Sequence, residues 1–302
     1  MQRVSALVSC EWLSRILSPQ TQYLRVLDGT WYMPSSGMDP KAEFAKKHIP
    51  GAEQFSIDDC TLPHSPFSNT LPTPEFFAEY VGERGICNKT HVVVYDNHPQ
   101  LGVFSAARVW WLFRVFGHNA VSVLDGGLPL WEKAGHPLCS STAPSEVEEK
   151  EFKAELQPNL VKRFSDMTGN LNTNKFQVMD ARSKARFLGK VPEPREGLTC
   201  GHMPGSANVP FSALLNDDDS ERARLMKSPE ELVKIFADSG IDLSGPVTAT
   251  CGSGVTACIL ALAAHQTGKK DVGVYDGSWE EYAQKATEDQ MVVCNPETAS
   301  AG

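Results

Sequence analysis

Two tandem α/β domains, each a central parallel sheet flanked by helices, are what this 302-residue sequence predicts. Two observations lead there. The chain contains itself twice, and each copy alternates short β-branched runs with stretches of helical length.

Four landmarks recur in the same order, roughly 150 residues apart. An apolar stretch ends in Asp at LRVLDGTWY (Asp28) and at FQVMDARSK (Asp180). A His-Pro-Gly turn follows, HIPGAEQFSID from His48 and HMPGSANVPFSAL from His202. The third is a buried-looking strand, VVVYD ending at Asp96 and VTATC ending at Cys251. The fourth is a further strand and turn, VSVLDGGLPLW through Asp125 and VGVYDGSWEEY through Asp276. The two histidines read as structural turn residues, since both copies keep them.

The apolar runs are short and bounded by turn residues, as strands of a buried parallel sheet should be. Between the third and fourth landmarks lie SAARVWWLFRVFG and TACILALAAHQTG, both of helical length and periodicity, the second closed by Gly268. Strand, helix, strand at this spacing makes βαβ units. Trp110, Trp111 and Trp279 read as packing residues. The predicted domains are 1–139 and 161–290, with a tail at 291–302. The stretch 140–160 is acidic, has no apolar run, and reads as a linker. NDDDSERAR, from Asn216, reads as a solvated loop. The opening MQRVSALVSCEWLSRIL reads as an amphipathic helix, with a mitochondrial presequence left open.

Composition narrows the function. The formal net charge is −9, which argues against nucleic acid or an anionic membrane as the main partner. No apolar run is long enough to span a bilayer. Eight cysteines are scattered without a CxxC pair, so free thiols are expected and a zinc site is not. No metal and no cofactor is expected.

The copies diverge where the third landmark ends. Asp96 is followed by NHPQLG, whereas Cys251 is followed by GSGVTA. A strand therefore runs into Cys251-Gly252-Ser253-Gly254-Val255-Thr256-Ala257, and a helix opens near Thr256. Two glycines permit tight turns, backbone N–H groups turn inward, and the helix aims its positive end at the same point. A negatively charged sulfur is favoured in such a place. Other readings are a buried apolar cysteine, a dinucleotide fingerprint (Gly252-x-Gly254-x-x-Ala257 with Asp276 further on) and a cysteine phosphatase loop. Little chain follows Asp276 and the first copy lacks the glycines, which weakens the second. Ala257 stands where a phosphatase needs arginine, which weakens the third. Cys258, one turn into the helix, reads as buried packing.

On the stretches HIPGA, SPF, THVVVYD, ARVWWLFRVFGH, VLDGG, PEPREG, KSPEEL, ATCGSGVTAC and VYDGSW, the sequence resembles the tandem-domain rhodanese family throughout its length. The thiosulfate-using branch of that family carries Arg and Lys directly after the loop cysteine. Here those positions are Gly252 and Ser253, as in the mercaptopyruvate-using branch. The resemblance implies sulfur transfer from 3-mercaptopyruvate through a Cys251 persulfide, with release of pyruvate. Thioredoxin, glutathione or cyanide would then accept the sulfur, and reduction would yield hydrogen sulfide. It implies substrate contacts from Arg186, Arg195, Gly252, Gly254, Val255 and Thr256, with Arg182 in support. It also implies a relay of Ser253 with an aspartate, matched by Asp58, and a histidine whose place is taken by Asn69. Asn69 can donate a hydrogen bond but cannot shuttle a proton near neutral pH. A monomer or weak homodimer in cytoplasm or mitochondrion is the implied setting. Thiosulfate as donor and a non-catalytic binding module remain the alternatives.

Overall fold

A computed structural model describes residues 5–17, 23–99, 101–140, 147–216 and 224–293. The chain divides into two compact units. One comprises Met1–Pro63, Leu71–Gln157 and Asn216–Met226, the other His64–Thr70, Pro158–Leu215 and Lys227–Gly302.

In the first unit the strands are β1 (Leu7–Val8), β2 (Leu24–Asp28), β3 (Ala52–Gln54), β4 (His91–Tyr95) and β5 (Val121–Leu124). Its helices are α1 (Cys10–Ile16), α2 (Pro40–Lys46), α3 (Pro74–Gly82), α4 (Ala106–Val115) and α5 (Gly127–Lys133). The sheet order is β1-β5-β4-β2-β3, and every pair is parallel. The second unit contains β6 (Val161–Lys162), β7 (Gln177–Asp180), β8 (Gly201–His202), β9 (Ala207–Asn208), β10 (Val247–Thr250), β11 (Gly273–Tyr275) and β12 (Val292–Val293). Its helices are α6 (Phe164–Thr173), α7 (Lys184–Phe187), α8 (Pro229–Asp238), α9 (Ala257–Gln266) and α10 (Ser278–Lys285). The main sheet runs β6-β11-β10-β7-β9, again all parallel, while β12 and β8 form a separate antiparallel pair. Position for position this is the same strand order as in the first unit, so the duplication seen in the sequence is a duplication of topology.

The parallel strands are apolar because helices cover both faces. His91–Tyr95 is buried from Val92 onward, and Val247–Thr250 throughout. The helix after each central strand is the innermost one. In α4 every residue but Arg114 is buried, including Trp110 and Trp111, and in α9 residues 257–264 all are. A Val or Leu side chain so placed contributes about 1.5–3 kcal/mol. The repeated histidines behave alike. His48 bonds Phe44 O through Nδ1 at 2.9 Å and stacks on the Phe44 ring, and His202 does the same with Phe187 at 2.8 Å.

Three details differ from the sequence reading. The opening is not one helix: Leu7 and Val8 pair with Val123 and Leu124, and the helix begins only at Cys10, capped by Ser9 Oγ. Within the stretch read as a linker, Phe152 is buried against Phe77, and Lys150 and Gln157 bond to Gly82 O and Val115 O of the first unit. The buried Phe152 ring and these backbone bonds together fix it. Finally, residues 64–70, inside the predicted 1–139 domain, pack with the second unit through bonds described below. The loop read at 216–224 falls largely on 217–223, outside the described residues.

Candidate active site

The β10 strand delivers Cys251 to a loop that closes at α9, as the sequence led us to expect. Cys251 is 2% exposed, and Ser253 and Val255 are also buried. Gly254 turns the chain with φ +80°, a conformation side chains resist, and Thr256 stands at the N-cap of α9. Within the described residues the N–H groups of Gly252, Ser253, Val255 and Thr256 donate no hydrogen bond, so four donors remain around a cysteine at a helix start.

The equivalent loop of the first unit shows what such donors do. There Asp96 takes the place of the cysteine. Its carboxylate accepts from Phe104 N at 2.7 Å, Ala106 N at 3.0 Å and His98 N at 3.4 Å. Burial pushes the Asp96 carboxyl up, against the pull of those backbone bonds. The first copy thus fills its own anion cradle with a fixed carboxylate, whereas the second presents a thiol.

The start of α10 locks the Cys251 loop. Ser278 Oγ accepts the Cys251 N–H at 3.2 Å, donates to Tyr275 O at 2.9 Å and stands 4.0 Å from Cys251 Sγ. Trp279 N and Glu280 N donate to Cys251 O and Gly252 O at 3.0 and 2.9 Å. Ser278 holds φ +49° although it is not glycine. Its counterpart in the first copy is Gly127, at φ +56°. A serine kept in a left-handed position where the copy has glycine is the sequence signal of this lock.

The arginines form a layered set. Arg182 is buried completely. Its guanidinium donates to both Asp180 oxygens (2.7–3.1 Å), to Glu193 Oε1 at 2.9 Å and to Gly201 O at 2.8 Å, and it lies over the Trp279 ring. Burial works against its charge, but Asp180 and then Glu193 outweigh it and hold the group above its ordinary value. Arg186, a quarter exposed, donates to Glu193 Oε2 from Nη2 at 2.5 Å and to Oε1 from Nε at 3.4 Å. Arg195 sets its Nε against Glu280 Oε2 at 3.2 Å. Neither glutamate was singled out from the sequence, where each looks like an ordinary surface acid.

Asn69 reaches this loop as well. Its Nδ2 donates to Ser253 Oγ at 3.2 Å and faces Ser253 O at 3.5 Å. Its backbone is left-handed, φ +55°, which asparagine tolerates. The segment is held because Ser68 donates to Glu280 from both N (3.3 Å) and Oγ (3.0 Å), and Lys285 lies over the Phe67 ring. Asp58 belongs to the first unit, where it accepts from Trp31 Nε1 at 3.0 and 3.1 Å. Burial raises its carboxyl, and the Trp31 bond partly offsets this.

A buried cysteine among unspent N–H donors, flanked by paired arginines on a doubled parallel-sheet fold, defines a class, and comparison agrees. The rhodanese-like domain model matches residues 35–134 and 164–285, and the chain belongs to that family. It is 46% identical to the 3-mercaptopyruvate sulfurtransferase of Homo sapiens, over 96% of each chain, and 48% identical to the thiosulfate sulfurtransferase of Rattus norvegicus, over 95% of each. Among solved structures it resembles SseA from Escherichia coli, described under the rhodanese fold of 3-mercaptopyruvate sulfotransferases, with TM-score 0.79 and 33% identity over 91% of this chain and 99% of that one. It also resembles Tum1 from Saccharomyces cerevisiae, with TM-score 0.84 and 28% identity over 95% and 98%. Overall identity does not separate the two donors.

Proposed function

We infer that this chain is a sulfurtransferase that takes sulfur from 3-mercaptopyruvate onto Cys251. The observation that carries the reading is the Cys251 loop itself, with free backbone donors and no cation directly after the cysteine. The thiosulfate relatives keep thiosulfate in view as a second donor, but a dianion would gain most from charge within the loop, and Gly252 and Ser253 carry none.

The Cys251 thiolate attacks the thiol sulfur of the donor. The new S–S bond forms as the sulfur–carbon bond breaks, and its electron pair leaves on carbon as the pyruvate enolate. The proton that the donor's own thiol gives up balances the one the enolate gains, so pyruvate and a persulfide anion result. The loop N–H groups stabilise that anion without reorganising, as preorganised donors do. Arg186 and Arg195 hold the donor carboxylate by their guanidinium forks. Ser253 bonds the reacting sulfur. A thiol such as thioredoxin or glutathione, or cyanide, takes the outer sulfur, and reduction releases hydrogen sulfide. No cofactor is needed beyond the persulfide. Cytoplasm or mitochondrion, rich in such thiols, suits the reaction.

Protein incubated with 3-mercaptopyruvate should gain the mass of one sulfur and release pyruvate. Cys251→Ser should do neither. Full pyruvate release by Cys251→Ser would end this reading.

A further inference from the structure

Each of the two arginines assigned to the donor carboxylate is paired with a glutamate. Arg186 spends Nε and one Nη2 proton on Glu193, and Arg195 is ion-paired with Glu280, its Nε 3.2 Å from Oε2. The side-on edge of the Arg186 fork is therefore occupied, and its end-on edge remains. That edge faces the loop: Nη2 and Nη1 stand 3.0 and 3.8 Å from where a Cβ on Gly252 would be. Glu193 is itself fixed from behind, because Arg182 donates to its Oε1 and is anchored in turn on Asp180. Glu280 is fixed by two bonds from Ser68.

The charges add to this geometry. Arg182, Arg186 and Arg195 face Asp180, Glu193 and Glu280, three cations against three anions. A donor entering this set meets well-aimed N–H forks but little net positive potential. Alignment rewards a carboxylate of one charge. A second charge on the donor finds no counter-charge, and in a mostly buried site that omission is felt strongly.

Resting on the reading of the Cys251 loop as a sulfur-transfer site, we propose that Glu193 and Glu280 are the specificity-determining positioning residues. They aim the two arginines and cancel their charge, so that the site takes monoanionic keto-acid thiols in preference to dianionic sulfur donors.

The test compares kcat/KM for 3-mercaptopyruvate and thiosulfate in Glu193→Gln and Glu280→Gln. Glutamine keeps the size and an accepting oxygen but removes one negative charge. The ratio of thiosulfate to mercaptopyruvate kcat/KM should rise about tenfold in each variant, and added salt should diminish the gain. A merely structural role would lower both donors together and leave the ratio where it was, and that result overturns the proposal. Thermal melts identify a variant that has not folded, and the other then decides. The wild-type protein separates the two levels of argument. If it forms no persulfide from mercaptopyruvate, the functional reading itself fails. If it does and neither ratio moves, only the role of the glutamates fails.

Discussion

The guanidinium of Arg186 lies against the bare backbone of Gly252, with Nη2 3.0 Å from the place a Cβ would occupy. Because Glu193 pins that guanidinium, a side chain at 252 cannot be met by simply swinging the arginine away. Gly252→Ala should displace the fork by a few tenths of an ångström. KM for 3-mercaptopyruvate should rise roughly three- to tenfold, since small errors of placement are costly at a reacting centre, while kcat changes less. Steady-state kinetics check this, and an unchanged KM would remove Arg186 from donor binding. An arginine at 252 would compete for the same space.

Ser278 gives the second prediction. Its hydroxyl is the acceptor for the Cys251 N–H at 3.2 Å, and its left-handed backbone is a strain that glycine would not feel. Ser278→Ala should lose about 1–3 kcal/mol of stability by leaving a buried donor unmet. Ser278→Gly loses the same bond but recovers up to about 1 kcal/mol of backbone strain, so it should unfold at higher urea than the alanine variant. Both should form the persulfide more slowly than wild type. If the glycine variant matches wild-type turnover, the hydroxyl has no part in presenting the sulfur.

Asp28 ties the first unit to pH. Burial pushes its carboxyl up to about 6 from 3.8, although Thr30 N–H and Oγ both donate to it. The native state thus binds this proton more tightly than the unfolded chain. Its stabilising contribution is complete below about pH 3.8 and is lost as pH rises through about 6. At neutral pH the buried charge costs on the order of 2–3 kcal/mol. Asp28→Asn should therefore be more stable than wild type at pH 7, and the two should converge near pH 4. Urea unfolding across that range checks the sign. A wild-type protein that is the more stable one at pH 7 would contradict it.

Much of this arrangement is legible before any coordinates. The repeated Asp28 and Asp180 endings locate homologous strands, and the replacement of Asp96 by Cys251 locates the active copy, because periodicity and turn chemistry are local. What is not legible is made by side chains meeting across long stretches of sequence. Glu193 sits in an irregular loop with no periodicity to mark it, and only the burial of Arg182 behind it turns a surface-type residue into a brace. Glu280 looks like one more acid at a helix start until Ser68, 212 residues away, donates to it. Ser278 was discoverable, since aligning the two copies sets it against Gly127 in a left-handed position. Residues 64–70 belong with the second unit through bonds that composition cannot register.

Asn69 provides the last prediction. The Ser253 carbonyl can only accept, so the Asn69 atom facing it is the amide nitrogen, and the same nitrogen donates to Ser253 Oγ. Ser253 must therefore act as acceptor toward Asn69, and its own proton is left for another partner. An amide does not titrate in this range, so residue 69 should contribute no step to the wild-type pH–rate curve for persulfide formation. His64 of the same segment, with Glu280, Arg195 and Lys285 around it, is ionisable, and all of these are common to both proteins compared. Asn69→His should add a new limb near the ordinary imidazole range, about pH 6.5, because protonated imidazole can only donate while the neutral ring can also accept. Single-turnover rates of pyruvate release from pH 5 to 9 (an interval of roughly two units either side of a neutral midpoint) would display that limb. A wild-type curve that already bends there, and does not change in Asn69→His, would show that Ser253 takes no direction from residue 69.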